Sequence, residues 1–263
     1  MIATVRSELL KIRSLAVGWA TAIGVLVVTL LALAFWYLIL QAQTTSEYLD
    51  DSPADVKESV YTAGQYFGLL LTMIFGITIV TSEYAHQTIT STFLATPKRS
   101  RVVLAKIVAG LLFALVFFAI SSVLAVGGGT AMLVSLGVPV GAGLGTGLGA
   151  VALNALAYVV WMIFGVGIGT LIRNQVVAVV AAIVLYLAEL GSGLVFPQLA
   201  SALDQDWIAK LQYYLPGGAS RAMTSLVATD DAPVWWIAAL VLLLYGVITT
   251  AYGTLITAAR DVS

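Results

Sequence analysis

Long uncharged apolar runs alternate along this chain with short polar segments, and the lengths of the runs carry the first structural information. A helix rises 1.5 Å per residue, so about 20 apolar residues cross the hydrocarbon core of a bilayer. Six segments reach that length, near 17–40, 61–81, 103–136, 148–172, 176–196 and 235–258. No charged residue occurs between Ile107 and Ile172, a run of roughly three crossings' length that must fold back on itself. Gly137-Val138-Pro139, followed by glycines at 141, 143, 145, 147 and 149, breaks helical propensity and places the reversal there. The first run is uncharged from Ser14 to Leu40 and continues past its Ala32-Leu33-Ala34 triplet. That is well beyond the roughly 7 to 15 residues of a signal-peptide core, so it reads as a retained span. The pattern predicts an all-α membrane protein with six transmembrane helices.

Two further segments are amphipathic. Over 1–14, Ile2, Val5, Leu9 and Ile12 recur at helical spacing with Arg6, Lys11 and Arg13 set apart, as in a helix lying in a membrane interface. Over 197–231, Leu199, Leu203, Trp207, Leu211 and Tyr214 step by three or four residues between Pro197 and a Pro216-Gly217-Gly218 breaker. These predict short external helices that cap or re-enter the bilayer, with Trp235-Trp236 anchoring the sixth span.

Composition agrees with the pattern and narrows the chemistry. The chain is 60% hydrophobic and 10% charged, with mean hydropathy +1.02, against about 25% charged residues in soluble domains. A net charge of -1 and the absence of any zinc-finger or RNA-binding pattern exclude nucleic acid as a partner. Without Cys, and with His86 alone, neither thiolate chemistry nor a histidine-rich metal centre can be assembled. The cations are unevenly distributed: Arg6, Lys11, Arg13, Lys98, Arg99, Arg101, Lys106, Arg173 and Arg260 fall on one side of the six spans, and Lys57, Lys210 and Arg221 on the other. Short basic loops stay in the cytoplasm during insertion, so both termini are expected inside. Few lysines and many Ala, Val and Gly residues suggest a GC-rich bacterial source, and with it the plasma membrane.

No Gly-Lys dipeptide occurs, so a Walker A loop is absent, and so is H-E-x-x-H. Six spans without an energy-converting site leave passive conduction, ion-coupled transport, or a partner that supplies the energy. The polar island from Ser82 to Arg101 bears on this choice. Its stretch 83–96 reads as a short helix ahead of Pro97 and a basic cluster, either an ordinary basic loop or a lever for a partner.

The pattern Glu83, Thr88-Ile89, Leu94, Ala95-Thr96-Pro97, Arg99 or Arg101, and Lys106 resembles the region after span two in permease subunits of type-2 ABC exporters. Ser7-Glu8-Leu9-Leu10-Lys11-Ile12-Arg13-Ser14 is similar to that family's N-terminal interfacial helix, and Leu171-Ile172-Arg173-Asn174-Gln175 to its tight turn between spans four and five. Tyr214-Leu215-Pro216 matches the small external element after span five. Gln87 departs from the pattern, since many relatives carry Gly before the Thr.

The resemblance covers nearly the whole chain and implies a single type-2 transmembrane domain over 1–263, in which 83–96 is a coupling helix. It implies an ATP-binding subunit in two copies, seated on Glu83, His86, Thr88, Phe93 and Leu94, with ATP and Mg held on that partner and no cofactor in this chain. It also implies a second permease chain, in a homodimer, and outward movement of a drug, antibiotic, lipid or peptide. Arg6, Lys11, Arg13, Lys98, Arg99 and Arg101 are expected to hold the inner leaflet, each worth about 1 kcal/mol at an anionic surface.

Glu189 is the one acidic residue inside a span, about 20 Å past Val176 along the helix. Intramembrane acids are functional candidates by default. Glu189 and Tyr186 are therefore candidate contacts on a substrate path, while the plainer reading makes Glu189 a hydrogen-bonded tie from span five to a neighbour, aided by Ser192. A self-sufficient ion-coupled transporter or channel using Glu189 is the competing function. Gly165 and Gly169 form a GxxxG pair whose first reading is close helix packing within the chain.

Overall fold

The computed structural model describes residues 2–42, 53–89, 99–226 and 232–259. All regular structure among them is helical: α1 (Ile2–Ser14), α2 (Ala16–Ala42), α3 (Pro53–Tyr61), α4 (Gln65–Ala85), α5 (Arg99–Ser135), α6 (Leu144–Leu171), α7 (Gln175–Leu203), α8 (Asp206–Lys210), a 3-10 turn (Leu211–Tyr214), α9 (Pro216–Thr224) and α10 (Trp235–Ala259). Six helical segments are long and apolar enough to cross a membrane: α2, α3 with α4, α5, α6, α7 and α10. The six expected spans are thus present, and the protein is a multi-pass membrane protein.

Burial separates the spans into two kinds. The apolar stretches of the second and fourth are 72% and 61% buried, whereas those of the first, fifth and sixth are 17%, 22% and 22% buried. α4 and α6 therefore form the centre, and the others turn long apolar faces outward. Glycine allows the central pair to approach. A Cβ on Gly165 would lie 2.2 Å from the Met73 carbonyl, one on Gly169 2.9 Å from the Ile77 carbonyl, and one on Gly76 2.7 Å from the Met162 carbonyl. The GxxxG pair is accordingly a packing motif within the chain. Gly167, between them, faces the opposite way, where its Cβ would meet Thr249 and Thr250 of α10.

The turns follow local chemistry. The reversal after α5 falls at the expected glycines, with Gly137 and Gly143 in left-handed conformation at φ 86° and 64°, where a Cβ would be strained. Between α6 and α7 only three residues intervene, and Asn174 caps α7 by accepting the Val177 N–H at 3.1 Å.

Two expectations are corrected. The helix of span five does not stop at Pro197 but runs to Leu203, with Pro197 inside it. A proline costs a helix one internal hydrogen bond and crowds the carbonyl four residues back, which here belongs to Gly193. Pro216-Gly217-Gly218 is also not a breaker but the opening of α9. Proline suits a first helical position because its missing N–H would have had no partner there. The glycines are required by proximity, since a Cβ on Gly218 would fall 1.8 Å from the Gln212 carbonyl. α9 is buried at seven of its nine positions, so it re-enters the bundle.

Replacing Gly165 by Leu should force α4 and α6 apart and lower stability by about 1–3 kcal/mol or prevent folding. Gly145→Ala, where a Cβ meets nothing within 4 Å, should leave the melting temperature unchanged or raise it. Thermal unfolding in detergent, followed by size-exclusion recovery, checks both.

A buried charge cluster and a re-entrant helix

Four ionised side chains from three elements converge where α4 ends and α5 begins. Lys106 Nζ lies 2.8 Å from Glu8 Oε2 and 3.0 Å from Glu83 Oε1. Lys11 Nζ lies 2.8 Å from Glu8 Oε1 and 2.7 Å from Glu83 Oε1. Lys106 also donates to the Ile79 carbonyl at 3.1 Å. The side chains of Glu8 and Lys106 are each 4% exposed and that of Glu83 is 7% exposed, while that of Lys11 is 40% exposed, so the cluster is a neutral, largely buried knot with Lys11 at its rim. It ties α1, the last turn of α4 and the first turns of α5 together.

Charges this deeply buried need partners on every side. Burial pushes the Glu8 carboxyl upward, but Lys106 and then Lys11 more than reverse this and hold it below its ordinary 4.5. Burial likewise works against the Lys11 ammonium, and hydrogen bonds to Glu8 and Glu83 raise it above its ordinary 10.5.

The sequence-derived site residues separate accordingly. Glu83 belongs to the last turn of α4 and contacts Lys11 of α1 and Lys106. Beyond Ala85 the chain turns: His86 Nδ1 is 2.8 Å from the Ser82 carbonyl, and Thr88 N–H donates to the Glu83 carbonyl at 2.9 Å. Gln87 is left-handed at φ 56°, a conformation that costs a residue with a Cβ roughly 1–2 kcal/mol. Phe93, Leu94 and Lys98 lie outside the described residues, as does the 90–96 half of the expected 83–96 helix. Arg99 opens α5. Arg6, Arg13 and Arg101 are exposed at this end of the bundle, while Lys11 is half-buried in the knot. Lys106, counted among the loop cations, is a core residue. The Arg173 guanidinium sits over the Tyr84 ring at 5.4 Å, linking the α6–α7 turn to the same region.

The far end of the bundle is organised by α9. Its Gly217 N–H donates to Glu189 Oε2, and a Cβ at Gly217 would strike that oxygen. The Glu189 carboxylate therefore caps the positive end of α9, and Ser192 donates to the Glu189 carbonyl at 2.6 Å. Tyr186 donates to the Tyr66 carbonyl. Arg221 donates to the Tyr66 hydroxyl at 2.8 Å, and Gln65 to Thr224 Oγ1 at 3.0 Å. Glu189 and Tyr186 border a cavity of about 20 Å³, room for little more than one water. Lys57, a loop charge by sequence, is 1% exposed. It donates to the carbonyls of Pro139 (2.9 Å), Val140 (2.6 Å) and Ala142, and so pins the α5–α6 turn.

Sequence reasoning assigned no role to Glu8, Lys57 or Arg221. For Glu8 a signal existed: it shares a helical face with Ile12, four residues on, and these two are the buried residues of α1.

The class defined by these features is a polytopic membrane protein with a charged knot at one end of its central helix pair and a re-entrant helix at the other. A family model described as ABC-2 family transporter protein matches residues 4–189, more than half of the chain, and the chain belongs to that family. A comparison with curated proteins gives no match.

Lys106→Met should destabilise the protein by about 3–5 kcal/mol, because it leaves two buried carboxylates to share the one half-exposed Lys11. Adding Glu8→Gln should recover part of the loss. Because the Glu8 carboxyl is held below 4.5 in the folded chain, its contribution is complete above that pH and is lost as pH falls through the lower folded value. The difference between thermal melts of wild type and Glu8→Gln should therefore be constant above pH 4.5 and narrow as the pH is lowered through the folded value.

Proposed function

We propose that the chain is the membrane permease of an ATP-driven exporter, coupled to a separate ATP-binding subunit at the segment that follows α4. The observation that carries this reading is the buried knot of Glu8, Lys11, Glu83 and Lys106. It stands immediately ahead of the 88–96 segment and joins α1, α4 and α5 into one unit. A push on that segment then moves the central helix α4 rather than bending a loop. In this reading the knot is cytoplasmic, both termini are inside, and Arg6, Arg13 and Arg101 rest against the inner leaflet of a bacterial plasma membrane.

Two ATP-binding subunits would drive a homodimer of permeases. α7 turns Val180, Val184 and Leu187 outward, on the face a second copy would meet. The cargo would be a drug, antibiotic, lipid or peptide moved outward, with multidrug or antibiotic efflux the favoured role.

The ion-coupled alternative needs Glu189 to exchange a proton or cation with a water-filled path. Its carboxylate instead caps α9 and borders a cavity of about 20 Å³, which favours the structural role.

Replacing 88–96 with a Gly-Ser linker should abolish co-elution of the tagged chain with its ATP-binding subunit while leaving the melting temperature within a few degrees of wild type. Retained stoichiometric co-elution, or transport by the chain purified alone in liposomes, would overturn the reading.

A further inference from the structure

At the end of the bundle remote from the knot, a groove of about 850 Å³ runs between α2, the α3–α4 turn and α9. This lies within the 300–1,000 Å³ typical of small-molecule sites. One wall is apolar and continuous with the bilayer-facing side of the protein: Leu31, Phe35 and Phe67 line it and are 64%, 61% and 50% exposed. The other wall is polar and carries a single cation, Arg221. A guanidinium has five N–H donors in a fixed fork. One of them is placed on the Tyr66 hydroxyl at 2.8 Å, which fixes the group on the wall of the groove. One carboxylate, Glu58, also lines this wall and accepts the Leu226 N–H at 2.9 Å.

We propose that this groove is a lateral binding site for an anionic phospholipid of the adjacent leaflet, its phosphate held by Arg221 and an acyl chain laid along Leu31 and Phe35. The occupant follows from the two walls. An apolar trough open to lipid selects a chain, and an oriented guanidinium at its polar end selects a phosphate, the group it matches in bidentate geometry. In the orientation proposed above this is the outer leaflet. The site does not depend on ATP coupling or on export. A bound headgroup would hold α9 against α4, adding to the Gln65–Thr224 contact.

Photo-crosslinking of the full chain in nanodiscs tests this. The bilayer is phosphatidylcholine doped with phosphatidylglycerol carrying a diazirine in one acyl chain, and labelled peptides are mapped by mass spectrometry. Label should concentrate on the α2 stretch around Leu31–Phe35, above the level on the exposed α7 face around Val180–Val184. Arg221→Gln should reduce the α2 label by roughly tenfold or more, as expected for loss of a charge-assisted contact, and Arg221→Lys by less. Ala32→Trp, which fills the groove without touching Arg221, should remove it and keeps the test decisive should Arg221→Gln fold poorly. The α7 label should stay constant in all three variants. Equal α2 labelling by an uncharged diacylglycerol probe, selective labelling by a free fatty-acid probe alone, no change with Arg221→Gln and Ala32→Trp, or crosslinks from Leu31 to a second copy of the chain would each overturn the assignment.

Discussion

Apolar helices gain little by leaving lipid for one another, so spans hold together through close packing and satisfied polar groups. The seam between α4 and α6 is the place where this chain solves that problem, and the rest of the bundle is arranged around it. Gly76, Gly165 and Gly169 let backbone meet backbone, which gives dispersion contacts a density that larger side chains would prevent. α5 and α10 then pack against α6, α2 and α7 against α4, and the outer spans keep exposed apolar faces. Those faces suit lipid or a second protein chain.

The two ends of the seam are closed by different chemistry. At one, two carboxylates and two ammonium groups neutralise one another, three of them buried and the fourth, Lys11, half-exposed. Such a knot is rigid because separating any pair leaves a buried charge uncompensated. At the other end, closure relies on neutral or singly charged hydrogen bonds: Glu189 to the start of α9, Gln65 to Thr224, and Arg221 to Tyr66. These are individually weaker. An ABC-2 family membrane domain built this way has a stiff end beside the segment after α4 and a far end held by smaller contacts, an asymmetry that suits a machine pushed at one end and opened at the other.

Much of this was legible in the sequence because a bilayer imposes length and polarity on each span. The six spans, the glycine reversal after α5 and the short α6–α7 turn all follow from composition over windows of many residues. The misreadings occur where a single residue's meaning depends on its neighbours in space. Pro197 and Pro216 look alike as punctuation, yet one lies within α7 and the other starts α9. Lys57 and Lys106 look like loop cations, yet one is enclosed by the carbonyls of a distant turn and the other by carboxylates 98 and 23 residues away in sequence. Glu189 was recognisable as unusual, but its partner, the Gly217 N–H, carries no sequence signal. Gln87 gave no sign of a turn as a residue type, yet the backbone there is left-handed.

The claim on which the account turns is that α1 and the C-terminal end of α4 move as one body when the ATP-binding subunits close. The chain has no cysteine, so paired spin labels can be placed without removing any native residue of that kind. Labels at Ser7 and Ala85, both exposed and outside the knot, report its integrity, and labels at Ala85 and Val176 report motion of α4 against α7. In the assembled complex, the Ser7–Ala85 distance should be the same without nucleotide and with ATP bound, while the Ala85–Val176 distance changes. A Ser7–Ala85 distance that changes with nucleotide as much as the other would mean that the knot opens during the stroke, and would contradict the account.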